Sequence, residues 1–279
     1  MSGPRTWITR VLVGAGRRWI APRASSRAVV LCYHSLSTQP RAGSVMPGVF
    51  AQHLRWLRAH CEIVPFNVVV DAARSRRPGL PVVAITFDDG YADHYDAAFP
   101  LLRQHGVPAT FFVTAGFLER DPRVTKRFGE GVRPLEWGQA REMRRAGMDF
   151  GTHTYSHPNL SRLDPAAVED ELSRSKLILE ERLGDAVTTM AYPFGIPRRH
   201  FTRETMAIAS AVGYRYAGAI TFRAVHPSHC PLAIPRLPVP PGAGVRVLHD
   251  LVSGAWDLLG HWQERAPAAL QTSRWDRHA

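Results

Sequence analysis

The order of apolar runs along this 279-residue chain predicts one α/β domain with a largely parallel sheet closed as a barrel. Three observations predict it. From residue 28 onward, short apolar or β-branched runs alternate with helical patterns. The strands are apolar throughout, as strands are when helices cover one side and packed side chains the other. No linker or internal repeat divides the stretch of about 240 residues, an ordinary length for a (β/α) barrel.

Taken in order, Ala28 to Tyr33 (AVVLCY) reads as a buried strand, and Phe50 to His60 as a helix with Phe50, Leu54 and Leu57 on one face. Pro81 to Phe87 is a second strand, and Ala92 to Gln104 a helix ended by Gly106 and Pro108. Ala109 to Val113 is a third strand, and residues 116–135 read as a polar loop. A helix over Glu136 to Arg145 stops at Gly147, before a strand at Met148 to Gly151. Asp164 and Pro165 supply an N-cap and a first-turn proline for a long helix that runs to Leu183 and ends at Gly184. Thr188 to Tyr192 and Tyr216 to Ile220 are strands on either side of a helix over Arg203 to Val212, and Val245 to Leu259 is the last helix. About seven strands are expected in all. The domain is bounded at 28–261, with a basic leader at 1–27 and a polar tail at 262–279.

Composition narrows the function classes. With 45% hydrophobic and 21% charged residues the chain is a globular protein, not a disordered one. Three separated cysteines (Cys32, Cys61 and Cys230) make no disulfide framework, and buried free thiols are expected at Cys32 and Cys61. The net charge is +11; of the 35 basic residues only Lys126 and Lys176 are lysine, so 33 are arginine, a bias of the whole sequence more than a local patch. No zinc-finger, zipper or aromatic RNA-binding signature accompanies the charge, so nucleic acid is not the expected partner. No segment reaches the ~18 apolar residues of a membrane span. The N-terminal run from Trp7 to Ile20 is broken by Arg10, Arg17 and Arg18 and lacks a clear cleavage site, so no signal peptide is expected. A basic segment lying on a membrane surface and a plain basic leader both fit it.

Three clusters fall at predicted strand ends, where barrel chemistry resides: Thr86-Phe-Asp-Asp-Gly90, His153-Thr-Tyr-Ser-His-Pro158 and Ala191-Tyr-Pro-Phe-Gly195. Two adjacent acids after an apolar strand can divide labour, one binding a metal and the other acting as a base; Asp-Asp-Gly alone also fits a plain turn. His153 and His157, four apart after a short strand, can join one carboxylate in a three-ligand site with an open position for water, as catalytic zinc requires.

In this order the clusters resemble the motifs of the polysaccharide deacetylases with the NodB-homology domain, over roughly residues 28 to 240. PATFFV after the aspartates and LEWGQAREM before the histidines agree with it. The resemblance implies a distorted (β/α)7-type barrel as a single domain, and hydrolysis of acetyl groups, commonly the N-acetyl of a polymeric amino sugar. It implies Asp89, His153 and His157 as ligands of one divalent metal, most often Zn²⁺, Asp88 as general base, and the backbone N–H of Phe194 as oxyanion donor. Tyr192 is a further candidate near the substrate. It also implies a polysaccharide partner and a cell-envelope or extracellular site of action.

Two departures accompany the resemblance. Ala191 stands where many members carry an arginine that faces the base, and Arg236 in Ile-Pro-Arg-Leu-Pro is the candidate replacement. The late aspartate–tryptophan motif is not evident after Tyr216. The family's acid histidine, usually late in the domain, is here expected at His34, since Tyr33-His34-Ser35 resembles the circularly permuted exopolysaccharide deacetylases; His249, on a predicted helix, reads as a surface or packing residue. Competing functions are an O-acetyl esterase or deformylase on a glycan or lipid-linked sugar, and a non-catalytic carbohydrate-binding protein.

Overall fold

A computed structural model describes residues 13–14, 27–38, 43–75 and 79–260. Eight strands form one all-parallel sheet: β1 (Ala28–Tyr33), β2 (Glu62–Ile63), β3 (Val82–Asp89), β4 (Thr110–Val113), β5 (Asp149–Thr152), β6 (Thr189–Ala191), β7 (Tyr216–Ile220) and β8 (Ile234–Pro238). The order runs β1-β8-β7-β6-β5-β4-β3, and β3 pairs back onto β1 from Ala28↔Val82 to Tyr33↔Phe87, which closes a seven-stranded barrel. The two-residue β2 lies outside this ring, beside the first residues of β3. Parallel closure brings all seven carboxyl ends to one mouth.

The strands sort their side chains by parity. On β1, Val29, Leu31 and Tyr33 join the large cluster under the helices, while Ala28 and Val30 join a smaller one with Ala84, Phe112, Ala191 and Ile234. The smaller cluster is the barrel interior, built mostly of small residues. Phe66, Val69, Val70 and Ala73, from the segment after β2, pack into it.

Several elements differ from the sequence expectation. The seventh barrel strand is Ile234–Pro238, unread because two prolines within five residues argue against a strand. Both sit where the ladder does not need them. Pairing with β7 ends at Arg236, before Pro238, and pairing with β1 begins at Leu237, after Pro235. The segment 116–135 is not one loop. It contains a helix over Pro122–Phe128, N-capped by Asp121, whose carboxylate accepts from Arg123 N at 2.9 Å. The helix after β3 opens as a π-turn at His94–Ala98 before continuing as α-helix over Phe99–His105. The helix expected over Val245 to Leu259 is interrupted: it covers Val245–Ser253 and ends at left-handed Gly254, and residues 257–260 are helical again. A short helix at Val69–Ser75 adds to the elements that the sequence predicts.

Arg27 ties the first strand to the far end of the fold: its guanidinium donates to Asp257 at 2.9 and 2.8 Å and its Nε to the Val252 carbonyl at 3.1 Å. Otherwise, of the basic leader and the polar tail, only Val13 and Gly14 lie within the described residues. Among those residues, no helix is long and apolar enough to cross a membrane.

Candidate active site

The site is assembled at the carboxyl mouth. β3 ends in Asp88 and Asp89, which alternate across the strand and diverge. Asp88 lies on the parity of Ala84 and Thr86 and so points into the barrel. Asp89 takes φ +82°, a left-handed conformation that an L-residue adopts only when its surroundings hold it there. Gly90 follows at φ +89°, and a Cβ there would stand 2.6 Å from Leu118 Cδ1, so the turn requires glycine. Six described non-glycine residues have positive φ; four of them, Asp89, Thr154, His157 and Phe194, belong to the three sequence clusters. Strain of this kind costs on the order of 1–3 kcal/mol per residue and concentrates at functional sites.

Asp89 Oδ1 lies 3.7 Å from His153 Nε2 and 3.5 Å from His157 Nε2. Ligands on a tetrahedral ion with ~2.0–2.1 Å bonds stand roughly 3.3–3.4 Å apart, so the separations fit one shared ion. Protonation states fit as well. His153 Nδ1 donates to the Ala191 carbonyl at 2.8 Å, which leaves Nε2 bare and aimed at Asp89. Burial holds His153 and His157 down to about 4, so both imidazoles are neutral near pH 7. Asp89, His153 and His157 form a candidate metal site.

Beside it, Asp88 is nearly inaccessible at 2% exposure. Burial raises its pKa, but the Arg236 guanidinium, together with the nearby His153 and His34, more than offsets that and holds the carboxyl well below the usual carboxylate range. Arg236 grips it in a fork, Nη1 to Oδ1 at 2.6 Å and Nη2 to Oδ2 at 2.8 Å, while Nη1 also reaches Thr86 Oγ1 at 3.3 Å. Arg236 is fully buried and crosses the barrel interior above the ring of Phe112. Its path runs over Gly218 of β7, where a Cβ would stand 2.4 Å from Arg236 Nε. The guanidinium thus arrives at Asp88 from β8, while at Ala191 only the backbone carbonyl takes part, as the acceptor for His153.

Cys32 Sγ donates to Asp88 Oδ2 at 3.4 Å; burial pushes its thiol pKa well up, so it stays protonated. His34, just past β1, places a ring nitrogen within 4.8 Å of both Cys32 Sγ and an Asp88 oxygen. These three also have metal-ligand types, but Arg236 occupies both Asp88 oxygens and the thiol is protonated, so a second cation has no charge to neutralise there. His34 thus stands beside Asp88. His249 is exposed on the outer surface against Trp56. His226 and His229 bond to one another in the loop after β7.

Phe194 follows Pro193 at φ +60°, with its ring 4.8 Å from that of His157. Gly195 hugs β7: a Cβ there would lie 2.7 Å from Ile220 Cγ1. Tyr192 does not face the site. Its ring stacks on Phe201 at 3.9 Å and its hydroxyl donates to the Leu232 carbonyl at 3.0 Å, because successive residues after β6 turn to opposite sides. The sequence alone points to neither Cys32 nor Gly218 as part of the site, and to Thr86 only as the first residue of its cluster. The available signal was parity: Cys32, Ala84, Thr86 and Asp88 alternate onto the face that Arg236 enters.

An all-parallel seven-stranded barrel whose mouth gathers a carboxylate, two neutral imidazoles and an ion-paired aspartate places the chain among barrel hydrolases. The chain belongs to the polysaccharide deacetylase family, whose model matches residues 75–217, slightly more than half of the sequence. It is 27% identical over 199 residues to YxkH of Bacillus subtilis, a protein named for polysaccharide deacetylation; the match spans 71% of this chain and 66% of that relative. It is 23% identical over 215 residues to the poly-β-1,6-N-acetyl-D-glucosamine N-deacetylase of Staphylococcus aureus, across 74% of this chain and 71% of the other. The structure of IcaB from Ammonifex degensii superposes with a TM-score of 0.68 at 27% identity, covering 82% of this chain and 97% of that one.

Proposed function

We propose that this chain removes N-acetyl groups from the amino sugars of a cell-envelope or extracellular polysaccharide, with one divalent metal, most often Zn²⁺ in such sites, held by Asp89, His153 and His157. The observation that carries the reading is the convergence of two neutral imidazoles and Asp89 on one point, beside a second carboxylate, Asp88, that Arg236 orients and keeps ionised. A bound divalent cation would polarise the acetyl carbonyl and lower the pKa of a water toward ~7.

The remaining steps fall to the chain's own groups. Asp88 would accept the proton of the attacking water as the water oxygen bonds to the acetyl carbon. Its fork with Arg236 makes it a weak base kept fully ionised, suited to a water already made acidic. The backbone N–H of Phe194, turned by its left-handed φ, would donate to the developing oxyanion. His34 would donate a proton to the nitrogen as the carbon–nitrogen bond breaks, since an amide anion does not leave unprotonated. The products are acetate and a free amine. Basic residues of the leader remain candidates for contact with a membrane surface.

The test is release of acetate and free amine from N-acetylglucosamine oligomers by the metal-replete protein. Turnover that disappears on chelation and returns with Zn²⁺ is expected. Undiminished activity in a metal-free preparation, or hydrolysis of acetyl esters with no amide turnover, would overturn the assignment; the second outcome points to an O-acetyl esterase.

A further inference from the structure

We infer that His94 is a positioning residue for the proton-donating histidine: it fixes the backbone of His34 so that the His34 ring meets the leaving nitrogen. The inference rests on the reading of His34 as the acid, and it concerns a residue that the metal site and the base do not use.

His94 is completely buried, outside the ligand set, on the π-turn that follows β3. Its Nε2 lies 2.8 Å from the backbone oxygen of His34. A carbonyl oxygen only accepts, so Nε2 carries the proton and Nδ1 is the bare nitrogen. That Nδ1 is buried and has no hydrogen-bond partner among the described residues. Three rings enclose the imidazole: Phe87 at 5.4 Å, Phe111 at 5.3 Å and Tyr91 at 5.9 Å between centroids. An aromatic nest of this kind would hold phenylalanine with no stranded acceptor. Histidine tolerates the stranded nitrogen and gains one thing in return, a donor aimed at residue 34.

The neighbouring residues make the same connection. Ser35 Oγ donates to Asp93 Oδ2, and the Ser35 carbonyl accepts from Val45 N at 3.0 Å. Asp93 and His94, consecutive at the entry to the π-turn, therefore anchor the consecutive residues His34 and Ser35. Without these anchors the two residues would be the start of a loop, since β1 ends at Tyr33. Single π-turns are uncommon and recur at functional sites. This one sits where a general acid has to be held still beside Asp88. A proton donor displaced by ~1 Å loses much of its effect, whereas a step that needs no proton donor is indifferent to the displacement.

The experiment compares His94→Phe, His94→Gln and His34→Ala on an N-acetylglucosamine oligomer and on an activated aryl acetate, whose leaving group departs without a proton. Metal content and thermal melting are recorded for each variant. His94→Phe is expected to lower kcat on the amide roughly 10–100-fold with little change in KM, and to leave the aryl ester within about two-fold. His94→Gln, whose side-chain amide can donate to the same carbonyl, should recover part of the amide turnover. Equal losses on amide and ester, or no loss in either variant, would overturn the inference and leave His94 as packing. If His94→Phe does not fold, the same comparison is read from His94→Leu, which also removes the donor, and an unchanged amide-to-ester ratio there overturns it. His34→Ala separates the two readings. An amide-selective loss in His34→Ala without one in the His94 variants rejects only the positioning role; no amide-selective loss in His34→Ala rejects the acid itself.

Discussion

Asp89, His153 and His157 come from the ends of β3 and β5, which are separated in the barrel only by β4, and the two histidines lie within five residues of each other. Arg236, Cys32 and His34 come from β8 and β1, the last and first strands of the closed ring. Arg236 is 148 residues from the aspartate it grips, and Cys32 is 56 residues away. The metal side is thus set by short loops with left-handed turns, and the base side by a long side chain threaded through the barrel interior. Under the proposed roles, a substitution on the first side should abolish metal binding. On the second it should leave the ion in place and disturb only proton transfer.

The sharpest break in that comparison is His157→Ala. It removes one of three proposed ligands whose donor atoms converge within 4.8 Å, so both metal content and activity should fall to background, as measured by elemental analysis alongside acetate release. Asp88→Asn tests the other side. An amide of the same shape cannot accept the water's proton, so turnover should fall about 10²–10⁴-fold while stoichiometric metal is retained. Loss of metal in Asp88→Asn would mean that the two adjacent aspartates have their roles exchanged.

Gly218→Ala should have an intermediate effect and act at a distance. The new Cβ would lie 2.4 Å from Arg236 Nε, 2.7 Å from Cδ and 3.0 Å from Cζ. No atom of Arg236 is exposed, so the chain has no open side to move toward, and its fork on Asp88 must shift. Turnover should fall roughly 10–100-fold with metal content unchanged, since misplacement of a supporting group by about 1 Å has consequences of that size. Gly138→Ala is the control. Nothing stands within 4 Å of a Cβ at that helical position, so activity should be unaffected and stability equal or slightly higher. If Gly218→Ala matches wild type, the interior has slack and Arg236 is not held by its path.

The same contrast explains what was legible in the sequence. TFDDG, HTYSHP and YPFG are contiguous, and each falls at a strand end, so the residues that cluster as the candidate metal site could be singled out from residue order. The parallel barrel was legible for the same reason: six of its seven strands are short, mostly apolar runs that alternate with helical patterns. β8 was not, because Pro235 and Pro238 disguise a strand whose two ladders happen not to need their N–H groups. Arg236 was named only as a substitute for the arginine missing at Ala191, and nothing local shows that Gly218, 18 residues earlier, clears its way. Tyr192 misled in the opposite direction. It adjoins the motif proline, yet strand alternation turns it onto Phe201. Long-range convergence depends on closure of the barrel, which no single window of sequence contains.

Cys32 should give the smallest effect. The thiol donates to Asp88 Oδ2 at 3.4 Å, on an oxygen already held by Arg236 Nη2 at 2.8 Å. A thiol is a weak donor, and even an ordinary hydrogen bond has a net worth of only about 0.5–1.5 kcal/mol. With Arg236 supplying the main restraint, loss of the thiol should relax the orientation of the carboxylate without neutralising it. Cys32→Ala is therefore expected to lower kcat about two- to five-fold, near the low end of that range, with KM and metal content unchanged. Cys32→Ser keeps a donor on a shorter side chain and should fall between the two. Because Cys32 is fully buried, a thiol-alkylating reagent applied to the folded enzyme should leave activity intact. Inactivation by the reagent in a Cys230→Ser background, which removes the exposed thiol, or a loss in Cys32→Ala as large as in Asp88→Asn, would move the Cys32 thiol from a minor restraint on the base to a participant in the reaction. Identical kinetics in wild type, Cys32→Ala and Cys32→Ser would instead assign the whole orientation of Asp88 to the fork from Arg236.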